Sequence, residues 1–197
     1  GDMIFTEAQI AEMNQASTRG LAIRNNDYRW PDATVPYVIL SGFTKVQVAV
    51  LQRAIDEFNT KTSVRFRVKD NTDVDYVGIF PGDFSESHVG RIGGPQGLTI
   101  GPNDYSVGKV IHMLCHALGM YDEHLRPDRN DFININWRNI QAGYEYEFPM
   151  LIPSELIGFW TGFDYNSIMM PGESALPLTH ICRCRRSTPS HFPRCLF

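Results

Sequence analysis

The sequence predicts one α+β domain, because three of its features agree. Its 197 residues suit a single sizeable domain, and 43% of them are hydrophobic, which is enough to form a core. Apolar residues recur at three- and four-residue spacing in two segments, which indicates two amphipathic helices. Shorter segments between them alternate apolar and polar residues, as half-buried strands do.

The first elements lie in the N-terminal third of the chain. Thr6 is a candidate N-cap for a short helix over residues 7–16. Residues 35–40 are rich in β-branched and aromatic side chains, which is typical of a strand. From Thr44 the apolar periodicity predicts a helix that ends near Asn59.

The middle of the chain continues the mixed pattern. Residues 64–68 alternate apolar and basic side chains and predict a half-buried strand, and residues 76–80 predict another. The glycine- and proline-rich residues 90–102 predict an extended segment between turns. Residues 106–118 predict a second clear helix, and residues 137–144 a weaker one.

Charge and hydropathy exclude two classes of partner. The net charge is −4 and the pI is about 5.8, so the sequence carries neither a nucleic-acid footprint nor a polybasic lipid-binding stretch. Its apolar runs are far shorter than the roughly 18 residues that would cross a bilayer. We therefore expect neither nucleic acid nor membrane as a partner, and we expect a monomer.

The last 21 residues differ from the rest of the chain. Residues 177–197 carry four arginines and no acidic residue. Three of the four cysteines also lie there, and four cysteines allow three pairings, among which the sequence does not choose. We treat this segment as a separate basic, cysteine-containing tail.

The segment with the clearest chemistry is HMLCHALGMYDE, at residues 112–123. On a helix, His112 and His116 lie about 40° apart and roughly 6 Å along the axis, so both imidazoles can reach one ion. Gly119 can end the helix and reverse the chain, which brings Asp122 to the ion from another side. The pattern predicts a zinc site formed by His112, His116 and Asp122.

Other interpretations of these side chains stay open. Two histidines one turn apart are often surface or capped side chains with no ligand. His124 lies two residues beyond Asp122 and is a less favoured alternative ligand. Cys115 could supply a thiolate, although a lone cysteine on a helix is more often a small core residue.

The same segment resembles the metzincin pattern HExxHxxGxxH, and more specifically the astacin family of zinc metalloendopeptidases. The resemblance covers residues 20–176. It includes the segments RWPDATVPY (29–37), VGRIGGPQGLTI (89–100), EHLRPDRNDFININWRNI (123–140) and FDYNSIMM (163–170).

The resemblance implies an astacin-type metzincin fold, with two subdomains around a zinc cleft and a truncated lower subdomain. It also implies a secreted, extracellular protein that acts on protein or peptide substrates. By the same resemblance, Met169 of this chain would form the Met-turn beneath the metal. Gly97, Leu98 and Thr99 would form the edge strand that pairs with a peptide substrate.

The start of the chain resembles the end of the family's propeptide motif FxGD. Asp2 would then occupy the open position of zinc and keep a zymogen silent, although an incidental aspartate in a frayed terminus is the alternative. Residues 1–19 would be a propeptide remnant that a trypsin-like enzyme removes after Arg19. Glu123 would pair with the new N-terminus.

Three positions depart from the family pattern. Met113 stands where the general-base glutamate should be, Asp122 replaces the third histidine, and Pro171 replaces the tyrosine that stabilises the transition state. A general base contributes about 10² to 10⁴ in rate, so Met113 argues against normal proteolysis.

Cysteines expected from the family are also absent. Ser85 and Asp104 stand where two would pair, and Ser63 where a third is usual. After Ala175 the resemblance stops, which we attribute to a shifted reading frame or an alternative exon. A second metal site is the alternative explanation for the tail residues His180, Cys182, Cys184, His191 and Cys195.

These observations lead to three hypotheses about function. The first is a zinc-binding pseudoenzyme of the astacin type with reduced or no peptidase activity. The second is an active zinc-dependent endopeptidase that uses a substitute base. The third is a non-catalytic module that binds peptides in the cleft where a family peptidase would bind its substrate.

Overall fold

The computed structural model describes residues 2–13, 22–23, 25–140, 142–151, 156–157, 162–171 and 181–183. Its centre is a six-stranded sheet. The strands of that sheet are β1 (Met3–Ile4), β3 (Thr34–Ile39), β4 (Arg65–Val68), β5 (Tyr76–Pro81), β6 (Glu86–His88) and β7 (Pro95–Ile100). The three α-helices are α1 (Glu7–Met13), α2 (Lys45–Lys61) and α3 (Val107–Ala117).

Two small antiparallel ribbons complete the described part of the chain. In one, β2 (Ala22–Ile23) pairs with β9 (Leu156–Ile157). In the other, β8 (Ile133–Ile135) pairs with β10 (Ile181–Arg183), so part of the basic tail lies beside the lower half of the domain. Within the described residues, no helix combines the length and the apolarity that crossing a membrane requires.

The sheet order is β1-β6-β7-β5-β3-β4, and all neighbours are parallel except β6 and β7. This order corrects one prediction. We expected Gly97, Leu98 and Thr99 to form an edge, but they lie in β7, between β5 and β6. Strand β6 precedes β7 in the chain and pairs with it in antiparallel fashion, on the side of β7 opposite β5. Strand β6 in turn pairs with β1 of the N-terminal segment.

The helices begin where the sequence predicts. A capping box of Thr44 and Gln47 starts α2, and Thr6 and Gln9 form the same reciprocal pair of bonds at the start of α1. The structure ends α2 at Lys61, two residues beyond the prediction. Its buried face joins α3 and the strands in one core cluster.

Two predictions about regular structure need correction. β4 is an edge strand, and Val68, its last residue, is 68% exposed, although its alternation with Phe66 predicted burial. The weak helix predicted over residues 137–144 is a 3₁₀ turn at Trp137–Asn139. Gly143 takes a positive φ of 92°, which an α-helix does not accommodate.

The positions where the family resemblance implied a disulfide carry a hydrogen bond. The Ser85 hydroxyl donates to Asp104 Oδ2 at 2.7 Å and accepts from the Gly101 backbone N–H at 2.9 Å. A polar link therefore joins the same two segments that a disulfide would join. This link needs no oxidising environment.

We expect Ser85→Ala to lower the free energy of unfolding by about 1 to 3 kcal/mol, because it leaves a half-buried N–H and a carboxylate oxygen without their partner. Urea denaturation measures the change. Ser63→Ala is the control, since Ser63 is exposed and its replacement should change the free energy by less than about 0.5 kcal/mol. Equal effects of the two substitutions would contradict this role for Ser85.

Candidate metal centre

Helix α3 carries two of the four side chains of the candidate site. Its N-cap is Ser106, whose hydroxyl accepts from the Lys109 N–H, and its buried face includes His112 and His116. Gly119 follows the helix with φ of 99°. A Cβ at this position would lie 2.7 Å from Ile23 Cγ2, so only glycine allows the reversal that carries the chain to Asp122.

Four donor atoms converge beside α3, from Asp2, His112, His116 and Asp122. His112 Nε2 lies 2.8 Å from Asp2 Oδ2, 3.0 Å from His116 Nε2 and 3.6 Å from Asp122 Oδ1. All four atoms lie within 4.8 Å of one another. Donors around a tetrahedral zinc ion are separated by about 3.4 Å, so this spacing suits zinc.

Backbone carbonyls orient both imidazoles. His112 Nδ1 donates to the carbonyl of Ile168 at 2.9 Å, and His116 Nδ1 donates to the carbonyl of Met120 at 2.8 Å. Because a carbonyl can only accept, these bonds place the lone pairs on the two Nε2 atoms. Two lone pairs 3.0 Å apart repel each other unless a cation or a proton lies between them.

The carboxylates also indicate a cation. Asp122 is 4% exposed, and its Oδ1 is buried with no hydrogen-bond partner among the described residues. Burial, and then the charge of Asp2, raise the pKa of Asp122. Burial alone would raise the pKa of Asp2 as well. Without a metal, His112 and His116 can donate to Asp2 only when their imidazoles are protonated, and in that state they hold the pKa of Asp2 well below its usual range. A divalent cation would compensate both carboxylates, so the donor set fits zinc.

Asp2 reaches the site because β1 lies beside β6. The backbone N–H of Ser87 donates to the Asp2 carbonyl at 2.8 Å, and that of Val89 donates to the Ile4 carbonyl at 3.3 Å. Asp2 and His112 are 110 residues apart in the chain. The resemblance of the chain's start to the propeptide motif predicted Asp2 at the metal, whereas hydrophobic periodicity and caps gave no sign of this contact, because it depends on backbone bonds that any residue can make.

Met113 occupies the position expected for the general base. It is 1% exposed and belongs to the main core cluster, together with Met169. A thioether offers no basic group, and burial in an apolar cluster also separates it from solvent. Pro171 is half-buried and provides no side-chain donor.

The segment predicted to form the Met-turn lies directly beside the site. The Met169 carbonyl accepts from the Glu123 backbone N–H at 2.8 Å, and the preceding Ile168 carbonyl holds His112. Glu123 is buried, and its Oε1 accepts from the Asp164 N–H and from Arg126, both at 3.1 Å. Burial raises the pKa of Glu123. Its expected pairing with a new N-terminus stays a prediction.

Two alternative ligands lie outside the group of four. Cys115 is buried in the core cluster, and burial raises the pKa of its thiol to about 12, so it is no thiolate donor at neutral pH. His124 is buried with Nδ1 3.8 Å from Asp122 Oδ2 and Nε2 3.2 Å from the Glu147 carbonyl. It faces the Oδ2 atom of Asp122, whereas the Oδ1 atom faces His112 and His116.

Some predicted features lie outside the described residues. They include the cleavage point at Arg19 and Gly20, and four of the five tail residues considered for a second metal site. The fifth, Cys182, pairs through its backbone with Asn134. The second metal site in the tail therefore stays a prediction.

Comparisons with known proteins agree with this geometry. The sequence model of the peptidase family described as Astacin matches residues 22–178. Zinc metalloproteinase nas-15 of Caenorhabditis elegans is 36% identical over 154 residues, which cover 78% of this chain and 27% of nas-15. Bone morphogenetic protein 1 of Xenopus laevis is 38% identical over 141 residues, or 71% of this chain and 20% of that protein. The chain thus spans about a quarter of these relatives.

One solved structure is similar to this chain over most of the length of both. High choriolytic enzyme 1, a hatching enzyme zinc-protease from Oryzias latipes, matches with a TM-score of 0.74 and 29% identity. The match covers 86% of this chain and 88% of that structure. Myroilysin matches at 20% identity with a TM-score of 0.54, which supports the fold alone.

Proposed function

Because this chain belongs to the astacin family of zinc metallopeptidases, we propose that it is a zinc-binding member with strongly reduced or no peptidase activity. Peptidases of this family act on proteins, so a protein or peptide is the expected ligand. The observation that supports the proposal is Met113, buried at the position of the general base beside an intact set of metal donors.

The site retains the means to hold the ion. His112, His116 and Asp122 would be the three ligands from the peptidase domain, and Asp2 the fourth. In a peptidase, bound zinc polarises the substrate carbonyl and makes its bound water more acidic. The carboxylate of Asp2 would take the coordination position that such a water needs.

Three side chains of this protein oppose turnover. Met113 cannot accept the proton that the attacking water must lose. Pro171 cannot donate a hydrogen bond to the oxyanion that develops on the substrate carbonyl. Asp122 adds a negative charge where the family has a neutral histidine, which makes a bound water a weaker acid. Each change acts on a different part of the reaction.

The organisation of the chain follows from the same proposal. Residues 1–19 would be the propeptide remnant with Asp2 as its switch, residues 20–176 the peptidase domain, and residues 177–197 a tail of unclear origin. The protein would be a secreted, extracellular monomer with no nucleic-acid or membrane partner. Peptide binding without turnover is a second candidate function, which the pairing of β1 with β6 favours.

We expect the purified chain to hydrolyse a fluorogenic peptide library at least about 10²-fold more slowly than an active astacin-family peptidase, because it lacks the general base. The assay is made before and after trypsin treatment directed at Arg19. Heat-inactivated protein and added chelator are the controls. Chelator-sensitive hydrolysis within tenfold of the active enzyme would support the second hypothesis, a working endopeptidase.

A further inference from the structure

The N-terminal segment lies along β6, on a surface that we call the groove, and its first residues are only partly shielded from solvent. Among residues 2–10 only Gln9 is fully buried, whereas residues 2–6 are half-buried. Backbone bonds hold the segment: β1 pairs with β6, and the N–H groups of Ser87 and Val89 donate to carbonyl groups of the segment. Such bonds do not depend on sequence, so any preference of the groove must come from side chains.

Two apolar side chains of the segment pack against one buried cluster. Met3 and Phe5 pack against a buried cluster that we call the Tyr121 pocket. Its members are Ile23, Val89, Tyr121, Leu125 and Leu151. The ring of Phe5 stacks on that of Tyr121, with the centroids 6.0 Å apart and the planes 22° from parallel. This is the offset-stacked arrangement that aromatic pairs favour.

Two polar side chains hold the segment on either side of this pocket. Asp2 meets His112 at 2.8 Å. The Gln9 amide donates to the Val89 carbonyl at 2.7 Å. The segment therefore contacts the domain through an acidic group, an aromatic ring three residues later and a side-chain amide. A docked peptide ligand makes the same kinds of contact.

We propose that the Tyr121 pocket is the specificity site of a peptide-binding groove. Its ligand is an extended peptide from another molecule that carries an acidic residue and, three positions later, an aromatic residue. The peptide runs parallel to β6, as β1 does. The proposal rests on the proposed function only where the acidic residue meets the metal, and the aromatic contact is independent of it.

The attached segment competes with any such peptide. A short tether gives the segment an effective concentration in the millimolar range, so a free peptide binds the intact chain weakly. A substitution that weakens the segment opens the groove without changing the groove itself. Phe5 is the side chain to change, because the pocket contacts its ring.

The test measures fluorescence anisotropy of a labelled peptide with the sequence of residues 1–10. We expect the full chain with Phe5→Ala to bind this probe at least tenfold more tightly than the unmodified chain does. The matched control is Glu7→Ala, an exposed position of the same segment, which should bind the probe as weakly as the unmodified chain.

Variants of the probe separate the two contacts. On the Phe5→Ala chain, replacing the phenylalanine of the probe by alanine should weaken binding at least tenfold. Replacing its aspartate by asparagine should weaken binding to the zinc-loaded chain and have a smaller effect after chelation. A well-folded Phe5→Ala chain that binds neither probe, or binds the native and alanine probes equally, would overturn the proposal.

A second measurement applies if the Phe5→Ala chain does not fold. Unlabelled native peptide in millimolar excess should then raise hydrogen exchange in the segment of the unmodified chain, and the alanine peptide should not. Equal exchange with both peptides would contradict the pocket. The zinc content is measured in the same samples. If binding depends on the phenylalanine of the probe but the chain holds no zinc, the pocket proposal is supported and the proposed function is contradicted. If the chain holds zinc but binding does not depend on the phenylalanine, only the pocket proposal is overturned.

Discussion

The purified chain is expected to contain close to one zinc ion per molecule, and His112→Ala or Asp122→Ala to lose it. Loss of a residue that only orients a ligand already lowers metal affinity 10- to 100-fold, so loss of a ligand should lower it by at least about 100-fold. Mass spectrometry of the native protein measures the content. Competition with a chelator measures the affinity.

Two further variants make the zinc prediction specific. Asp122→His restores the ligand type expected from the family and should retain zinc. Asp83→Ala removes an exposed carboxylate outside the group of four and should also retain it. The metal centre would be refuted by an unmodified chain that purifies without zinc and takes up none when zinc is added.

Restoring a carboxylate at the general-base position is expected to produce the largest gain of activity. In a chain whose Asp2 is replaced by alanine, Met113→Glu should raise zinc-dependent peptide hydrolysis by about 10² to 10⁴, or about 3 to 5 kcal/mol of barrier. Asp2→Ala is needed because the Asp2 carboxylate otherwise stays beside His112. Hydrolysis of a fluorogenic peptide measures the rate.

Met113→Gln in the same background is the matched control, since glutamine has the size of glutamate and no useful basicity. Both substitutions place a polar group at a position that is 1% exposed, so both should lower the melting temperature. Thermal melts and zinc content are therefore measured for each. Equal rates for two folded, zinc-loaded variants would show that position 113 does not supply the base.

Local sequence predicted the elements that carry the site. The helices after Thr6, Thr44 and Ser106 begin where predicted, because each cap depends on residues within one turn, although only Thr6 is predicted as a cap from the sequence. His112 and His116 share a helix face for the same reason. The reversal at Gly119 also follows from a single residue with a positive φ.

The prediction was weaker for burial and for position within the sheet, since these depend on residues that are distant in the sequence. Val68 continues the alternation of β4 but is exposed at the end of this edge strand, whereas Phe66 in the same strand is buried against the core. Residues 97–99 lie inside the sheet, because β6 pairs with β7. The local sequence around these residues indicates neither feature.

The sequence by itself determined the donor types and the missing base: two histidines one turn apart, an aspartate beyond a glycine, and a methionine between the histidines. The motif resemblance predicted Asp2 at the metal, but only the tertiary structure gave the pairing of β1 with β6 that brings Asp2 to His112. Only the tertiary structure decided that the carbonyls of Ile168 and Met120 orient the imidazoles and that Met113 lies in the core. The physical reason is range. Helix spacing and caps act between residues a few positions apart, whereas these contacts depend on sheet order and packing across the whole chain.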